Sequence, residues 1–168
     1  KRFHGLGERD RLLLQIAVTL HACGKFISMK NSNECGYALI MSTEIIGLSH
    51  LEREIIANVV RYNIRDFDYD MMQLETEAGQ DLAGVSDRTA ITILIAKLTA
   101  ILRLANSMDK THKAKLIDSR MAVRDGRLVI TTGYQGDLAL ESASFEQKAA
   151  FFEEIFGIRP VLKQKRRV

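Results

Sequence analysis

The hydrophobic period of this chain changes near Lys115, and that change constrains the fold more than any single motif does. Before it, apolar residues recur at helical spacing; after it, they alternate. Leu12, Leu13, Ile16, Ala17 and Leu20 share one helical face, and Gly24 follows as a stop signal. Ser49-His50-Leu51-Glu52 reads as a capping box, in which the Ser49 hydroxyl and the Glu52 carboxylate each satisfy a free backbone N–H. Leu51, Ile55 and Val59, joined by Ile56 and Val60, give the helix it opens one apolar face. A shorter helix is expected near Tyr69 to Ala78. The longest is expected after Ser86-Asp87, with a stripe of Ala90, Leu94, Leu98, Ile101, Ala105 and Met108. Ile91, Ile93, Ile95 and Leu102 widen that stripe, so this helix should be wrapped by others at the centre of its domain.

Past Lys115, Met121 and Val123 lead into Asp125-Gly126, a two-residue hairpin signal, and Leu128 and Ile130 continue the alternation. A third short strand is expected at Asp137 to Glu141. Ser144-Phe145-Glu146-Gln147 reads as a second capping box, opening a helix with Phe152, Ile155 and Phe156 on its buried side. Gly157 ends it, and Ile158 to Lys163 should return as a strand. The expected architecture is mainly α, with a helical domain over 1–115 and a small α+β domain over 116–168 docked on it.

Hydrophobic residues make up 46% of the 168, enough to bury a core. With 24 Lys plus Arg against 21 Asp plus Glu, the net charge of +3 is too balanced to demand nucleic acid. Cys23 and Cys35 have no second pair, which fits free thiols in a reducing compartment better than a disulfide framework. The greasiest stretch, Thr89 to Ala96, stops at Lys97, and Arg103 follows, so no run of ~20 apolar residues suggests a membrane span. Lys1-Arg2-Phe3-His4 lacks the apolar core of a signal peptide. A cytoplasmic domain cut from a longer protein is the expectation.

Few residues carry chemistry. A divalent-metal hydrolase site needs imidazoles and carboxylates converging on the ion, yet His21 is followed by Ala22, and His4, His50 and His112 lie far off in sequence. A lone histidine at a helix end is more often a cap than a ligand. Cys23 would need a lowered pKa to act as a nucleophile and reads more simply as a small buried hydrophobe. Gly5 and Gly7 lack the lysine-serine ending of a phosphate loop. The most unusual cluster is Arg103, Lys110, His112, Lys113 and Lys115, where the long helix is expected to close. As helix-end cations they would complement the helix dipole; as a platform they would take a polyanion by releasing its counterions together. Lys163, Lys165, Arg166 and Arg167 make a basic tail.

Five ordered blocks point to a family. Phe3-His4-Gly5-Leu6-Gly7-Glu8-Arg9, Leu20-His21-Ala22-Cys23-Gly24-Lys25-Phe26-Ile27, Glu44-Ile45-Ile46-Gly47-Leu48-Ser49-His50 and Ile55-Ile56-Ala57-Asn58-Val59-Val60-Arg61-Tyr62 come first. Ile101-Leu102-Arg103-Leu104-Ala105 with Met108-Asp109-Lys110-Thr111-His112 follows, and Gly126-Arg127-Leu128-Val129-Ile130 opens a terminal α+β piece. Together they resemble the C-terminal region of the exopolyphosphatase/guanosine pentaphosphate phosphohydrolase (Ppx/GppA) family. The resemblance implies an HD-like helical bundle followed by a small α+β unit. It further implies catalysis in two N-terminal actin-like domains that are not in this sequence. Those domains release the terminal phosphate of polyphosphate or guanosine pentaphosphate, and the parent protein could use a divalent cation such as Mg²⁺.

Set against the HD pattern, His21 matches the motif histidine, Ala22 stands where its aspartate would be, and Asn106 replaces the late aspartate. Ser32, Cys35 and Asn63 occupy positions where relatives often carry histidines. No catalytic residue, metal ligand or cofactor is therefore expected in this chain. The expectation is a non-catalytic module that helps bind polyphosphate, pairs with its own N-terminal domains and forms a homodimer. The alternatives are an HD-type metal-dependent nucleotide phosphohydrolase and a purely structural, partner-binding helical domain.

Overall fold

A computed structural model describes residues 4–69, 72, 74 and 85–165. The chain is mainly α with a small three-stranded sheet, and it divides into two compact units, Lys1–Leu102 and Arg103–Val168. The division falls inside one helix, ahead of the change in hydrophobic period.

In the first unit, α1 spans Glu8–Leu20 and α2 Ser32–Met41, with a 3₁₀ turn at Cys23–Phe26 between them. Helix α3 runs His50–Tyr62 and α4 Val85–Met108, the latter continuing into the second unit. The capping box of α3 forms as its sequence requires: the Glu52 N–H donates to the Ser49 hydroxyl (3.2 Å), and the Ser49 N–H donates to the Glu52 carboxylate (2.9 Å). That carboxylate also takes a two-pronged ion pair from Arg9 on α1, at 2.6 and 2.8 Å, while Arg9 donates to the Gly47 carbonyl. Chiefly because of the Arg9 hydrogen bond, the Glu52 carboxyl is pulled down to about 2. One side chain thus caps α3 and ties it to α1.

The centre of this unit is α3, not α4. Residues 54–60 are all buried, so α3 is covered on every side, and its Glu54 and Asn58 are enclosed with the apolar residues. Asn58 donates its amide to the Glu54 carbonyl (3.0 Å). The expected stripe of α4 is displaced by about one position: Ala90 and Ala105 are exposed, whereas Ile91, Ile95, Leu98 and Leu102 enter the core with Ile56 and Val59. Because α4 is apolar nearly all round, its sequence allows several faces, and packing selects one. That apolarity also corrects the reading of membrane propensity. Arg88–Met108 is long and apolar enough to cross a membrane, with a mean hydropathy of 1.5, although half of it is buried inside the protein. Burial against the core accounts for the composition. Helix α2 gave no periodic signal, and the helix expected near Tyr69 to Ala78 lies outside the described residues, apart from Tyr69, Met72 and Leu74.

Gly24 does more than stop α1. It lies in the 3₁₀ turn where the chain crosses the start of α2, and a Cβ there would collide with the Ser32 carbonyl and stand 2.5 Å from the Gly36 nitrogen.

In the second unit, β1 (Arg120–Arg124) and β2 (Arg127–Thr132) form an antiparallel hairpin; α5 (Ala139–Phe156) then crosses over to β3 (Arg159–Gln164), which pairs parallel with β2. Asp125 and Gly126 both have positive φ, 50° and 69°, as a tight hairpin with this dipeptide requires. The strand expected at Asp137 to Glu141 is instead the start of α5, and Ser144 lies inside the helix rather than at its cap. The Asp137 carboxylate accepts the Ala139 N–H (2.8 Å) and begins the helix early. Glu141, Phe145, Ala149 and Phe152 then fall on one buried face at helical spacing. Helix α5 ends at Gly157, and β3 follows as expected.

Gly24→Ala should lower stability by about 1–3 kcal/mol, because backbone on both sides must give way. Gly133→Ala, whose Cβ would meet nothing within 4 Å, should be nearly neutral. Urea unfolding of the two variants checks the contrast.

Candidate polyanion-binding site

Of the basic cluster, Arg103 lies within α4 ahead of its last turn, which contains no cation, and Lys110, His112, Lys113 and Lys115 lie beyond its end. Dipole complementarity fades within that turn, so it does not explain Lys110, Lys113 and Lys115. Residues 109–115 instead form a tight loop pinned from within. The Asp109 carbonyl accepts the His112 N–H (3.0 Å), and its carboxylate accepts the Ala114 N–H (2.9 Å). His112 and Ala114 are held at φ of 52° and 50°, a left-handed conformation that residues with a Cβ adopt only when their surroundings impose it.

The support comes from α5. Glu141 has no exposed surface, and its two carboxylate oxygens face the loop. One accepts a short hydrogen bond from the Thr111 hydroxyl; the other pairs with the Lys115 ammonium at 3.1 Å. Lys115 also donates to the Asp137 carbonyl (2.9 Å), and its side chain is only 12% exposed. The Thr111 hydrogen bond and the Lys115 charge outweigh the cost of burial, so the Glu141 carboxyl is held below its ordinary value. Sequence reasoning missed Glu141 because it fell in an expected strand. Its spacing of four from Phe145 was the signal that could have found it.

The five cationic candidates therefore separate. Lys110, His112 and Lys113 are exposed on the loop. Lys115 is enclosed beneath it, and Arg103 is buried with its guanidinium 4.7 Å over the Phe151 ring. The Arg166 and Arg167 part of the basic tail lies outside the described residues.

The positions that the resemblance sets against the HD pattern offer poor ligands. His21 caps the end of α1, its Nδ1 2.6 Å from the Val18 carbonyl; Ala22 brings no donor atom, and Asn106 brings only a neutral amide. Among the described residues, no three His, Cys, Asp or Glu side chains gather where they could hold a metal ion. This donor set does not fit the divalent cation that an HD fold implies. Cys23 is half-buried, and burial pushes its thiol up, away from reactivity. It lines an apolar cavity of about 390 Å³ between α1 and α2, with Leu20, Leu39 and Ile40.

The family model described as Ppx/GppA phosphatase, domain III, matches residues 2–148. This chain belongs to the Ppx/GppA phosphatase family. The match covers all of the helical unit except the first residue and continues through the hairpin into α5, leaving the end of α5 and β3 beyond it. A search of curated proteins gave no match. In this chain, then, the loop after α4 is a hydrogen-bonded turn that exposes Lys110, His112 and Lys113 and is anchored by a buried carboxylate.

Glu141→Ala should cost about 3–5 kcal/mol, because it strands the enclosed Lys115 ammonium. The Glu141 carboxyl is depressed on folding, so its contribution is present above the unfolded value near 4.5 and is lost as pH falls through the folded value. Urea titrations between neutral and acid pH should show a large gap between wild type and variant that narrows toward low pH.

Proposed function

We propose that this chain is a non-catalytic region of an exopolyphosphatase/guanosine pentaphosphate phosphohydrolase-like protein, binding polyphosphate and self-associating. Phosphoanhydride hydrolysis is then the work of N-terminal actin-like domains of the same cytoplasmic protein, with which this region pairs. Any divalent cation such as Mg²⁺ would serve those domains. The observation that supports this reading best is the pinned loop after α4: Lys110, His112 and Lys113 point to solvent from a backbone whose conformation Asp109, Thr111 and Lys115 fix. A rigid loop loses little entropy on binding, so its cations are ready to displace the counterions of a phosphate chain. Arg103 and Lys115 support the platform from inside rather than touching the ligand.

Long-chain polyphosphate should bind the chain uncleaved, with an affinity that falls steeply with salt. Lys110→Glu with Lys113→Glu should weaken binding and flatten the salt slope, while leaving stability within ~0.5 kcal/mol. Fluorescence anisotropy with labelled polyphosphate across a salt series checks this. A variant that unfolds earlier yet binds as before would reduce the cations to a structural role.

Self-association belongs to the helical unit in this reading, as a symmetric dimer. The apolar positions left open there are not chiefly on α4 but at Phe26 and Ile46, 95% and 103% exposed, with Ile27 and Met29 beside Phe26 in sequence. Light scattering should give twice the chain mass at high concentration, and Phe26→Asp should return it to the monomer value. A monomeric wild type would remove dimerisation from the proposal.

A further inference from the structure

Strand β1 is an edge of the sheet, and half of its backbone is unused. It pairs with β2 on one side, and among the described residues no strand pairs with it on the other. Arg124 and Arg127 flank the two-residue turn, and the residues flanking such a turn form a hydrogen-bonded pair. Bonded and non-bonded pairs alternate from there, so Ala122 and Arg120 also bond to β2. Met121 and Val123 therefore turn their N–H and C=O groups outward. The opposite edge, β3, is interrupted by Pro160, which has no N–H to offer; β1 has neither proline nor glycine.

The side chains of β1 sort by face. Met121 is level with Ile130 and Val123 with Leu128, both buried, yet Met121 is 61% and Val123 52% exposed. The cover over β2 stops short of β1 and leaves these two apolar side chains in water. Arg120, Ala122 and Arg124 lie on the other face, with Arg127 and Val129 of β2 and Val161 and Lys163 of β3. None of these positions is acidic. Arg159, level with Arg127, is matched by Glu146 and Glu153 of α5, whereas no described side chain forms an ion pair with Arg120 or Arg124. Arg124 also stands directly across from Arg127, a like-charge pair that costs a sheet stability and that a neighbouring anion relieves.

We propose that the free edge of β1 accepts an extended protein segment in which acidic and apolar residues alternate, adding it to the sheet as a further strand. In such strand addition the main-chain hydrogen bonds give affinity, here at Met121 and Val123, and alternate side chains give specificity. Apolar residues of the segment cover Met121 and Val123 on one face, and acids on the other meet Arg120 and Arg124. Because the strand period is two, one register satisfies both demands and a slip by one residue fails both. A second copy of this chain is the wrong occupant. Antiparallel β1 edges centred on Ala122 set Arg120 against the partner's Arg124 at both ends, where like charges repel. A phosphate chain is also wrong, since it leaves Met121 and Val123 in water and their carbonyls unmatched.

The probe is a synthetic peptide alternating glutamate and valine, added to the 168-residue chain and followed by amide hydrogen exchange in NMR spectra. In the free chain the Met121 and Val123 N–H groups should exchange fast and that of Ala122 slowly. With peptide, exchange at Met121 and Val123 should slow at least about ten-fold. A peptide alternating lysine and valine should bind at least about ten-fold more weakly, and Arg120→Glu/Arg124→Glu should reverse the preference. If that variant does not fold, two N-methylated forms of the glutamate peptide decide. Methyl groups on the valine amides or on the glutamate amides keep every charge and side chain, and only one form should still bind, because one edge of the peptide faces β1. Equal binding of both forms, or peptide binding that leaves Met121 and Val123 in fast exchange, would overturn the proposal. So would no binding of the glutamate peptide at millimolar concentration. Protection of the two amides without peptide, rising with protein concentration, would assign the edge to a second copy, and equal protection by long-chain polyphosphate would assign it to a simple anion; either overturns the inference.

Discussion

The second unit is arranged around a carboxylate that water does not reach. An ionised Glu141 is tolerable there only if donors replace its hydration, and Thr111 and Lys115 supply them from the loop after α4. That requirement propagates outward. To bring Thr111 and Lys115 to α5, the loop must turn sharply enough to place His112 and Ala114 in the left-handed region. Those two positive φ values in turn help set where Lys110 and Lys113 project. The exposed cations therefore owe their placement to a buried anion several residues away in the fold, and a change at Glu141 would move them without touching them.

Features governed by short-range chemistry were legible in the sequence. The Ser49–Glu52 cap, the Asp125-Gly126 turn and the end of α5 at Gly157 each depend on residues within a few positions of one another, and each is where the pattern placed it. The misreadings share a different cause. For α4, apolar residues on most faces left the buried side to be chosen by α1 and α3, so a stripe through Ala90 and Ala105 looked as plausible as the real one through Ile91 and Ile95. For α5, a cap-like Ser144 outcompeted Asp137, which starts the helix, and hid Glu141 inside an imagined strand. Helix α2 was silent because its packing relies on Gly36 and on the close passage of Gly24 rather than on an amphipathic stripe.

The site was less legible than the fold. Proximity in sequence grouped Arg103 and Lys115 with Lys110 and Lys113, although burial separates them. A cation flanked by apolar residues in a core helix can be held by a ring, as Arg103 is by Phe151, and nothing local in the sequence announces the ring. Conversely, Arg120, Arg124, Arg127 and Lys163 are spread over more than forty positions and look unremarkable until strand register aligns them. The period-two placement of Arg120 and Arg124 and a returning strand up to Lys163 were visible; the parallel pairing of that strand with β2, which sets Lys163 level with Arg120, was not.

Family membership identifies the scaffold, whereas ligand choice depends on how charge is distributed over it. Within one small unit, some cations are neutralised by well-placed carboxylates and others stand exposed on a loop or on an acid-free sheet face. A fold under no demand except stability would gain from setting acids opposite Arg124 or Arg127, since a cross-strand pair of opposite charge is favourable where like charges repel. The same unit makes that kind of pairing between β3 and α5, where Arg159 meets two glutamates. The exposed, unpaired part of that sheet face is thus not forced by the topology. Leaving it unpaired keeps a positive potential open to solvent, and potentials of that kind concentrate anions at a surface before any specific contact is made.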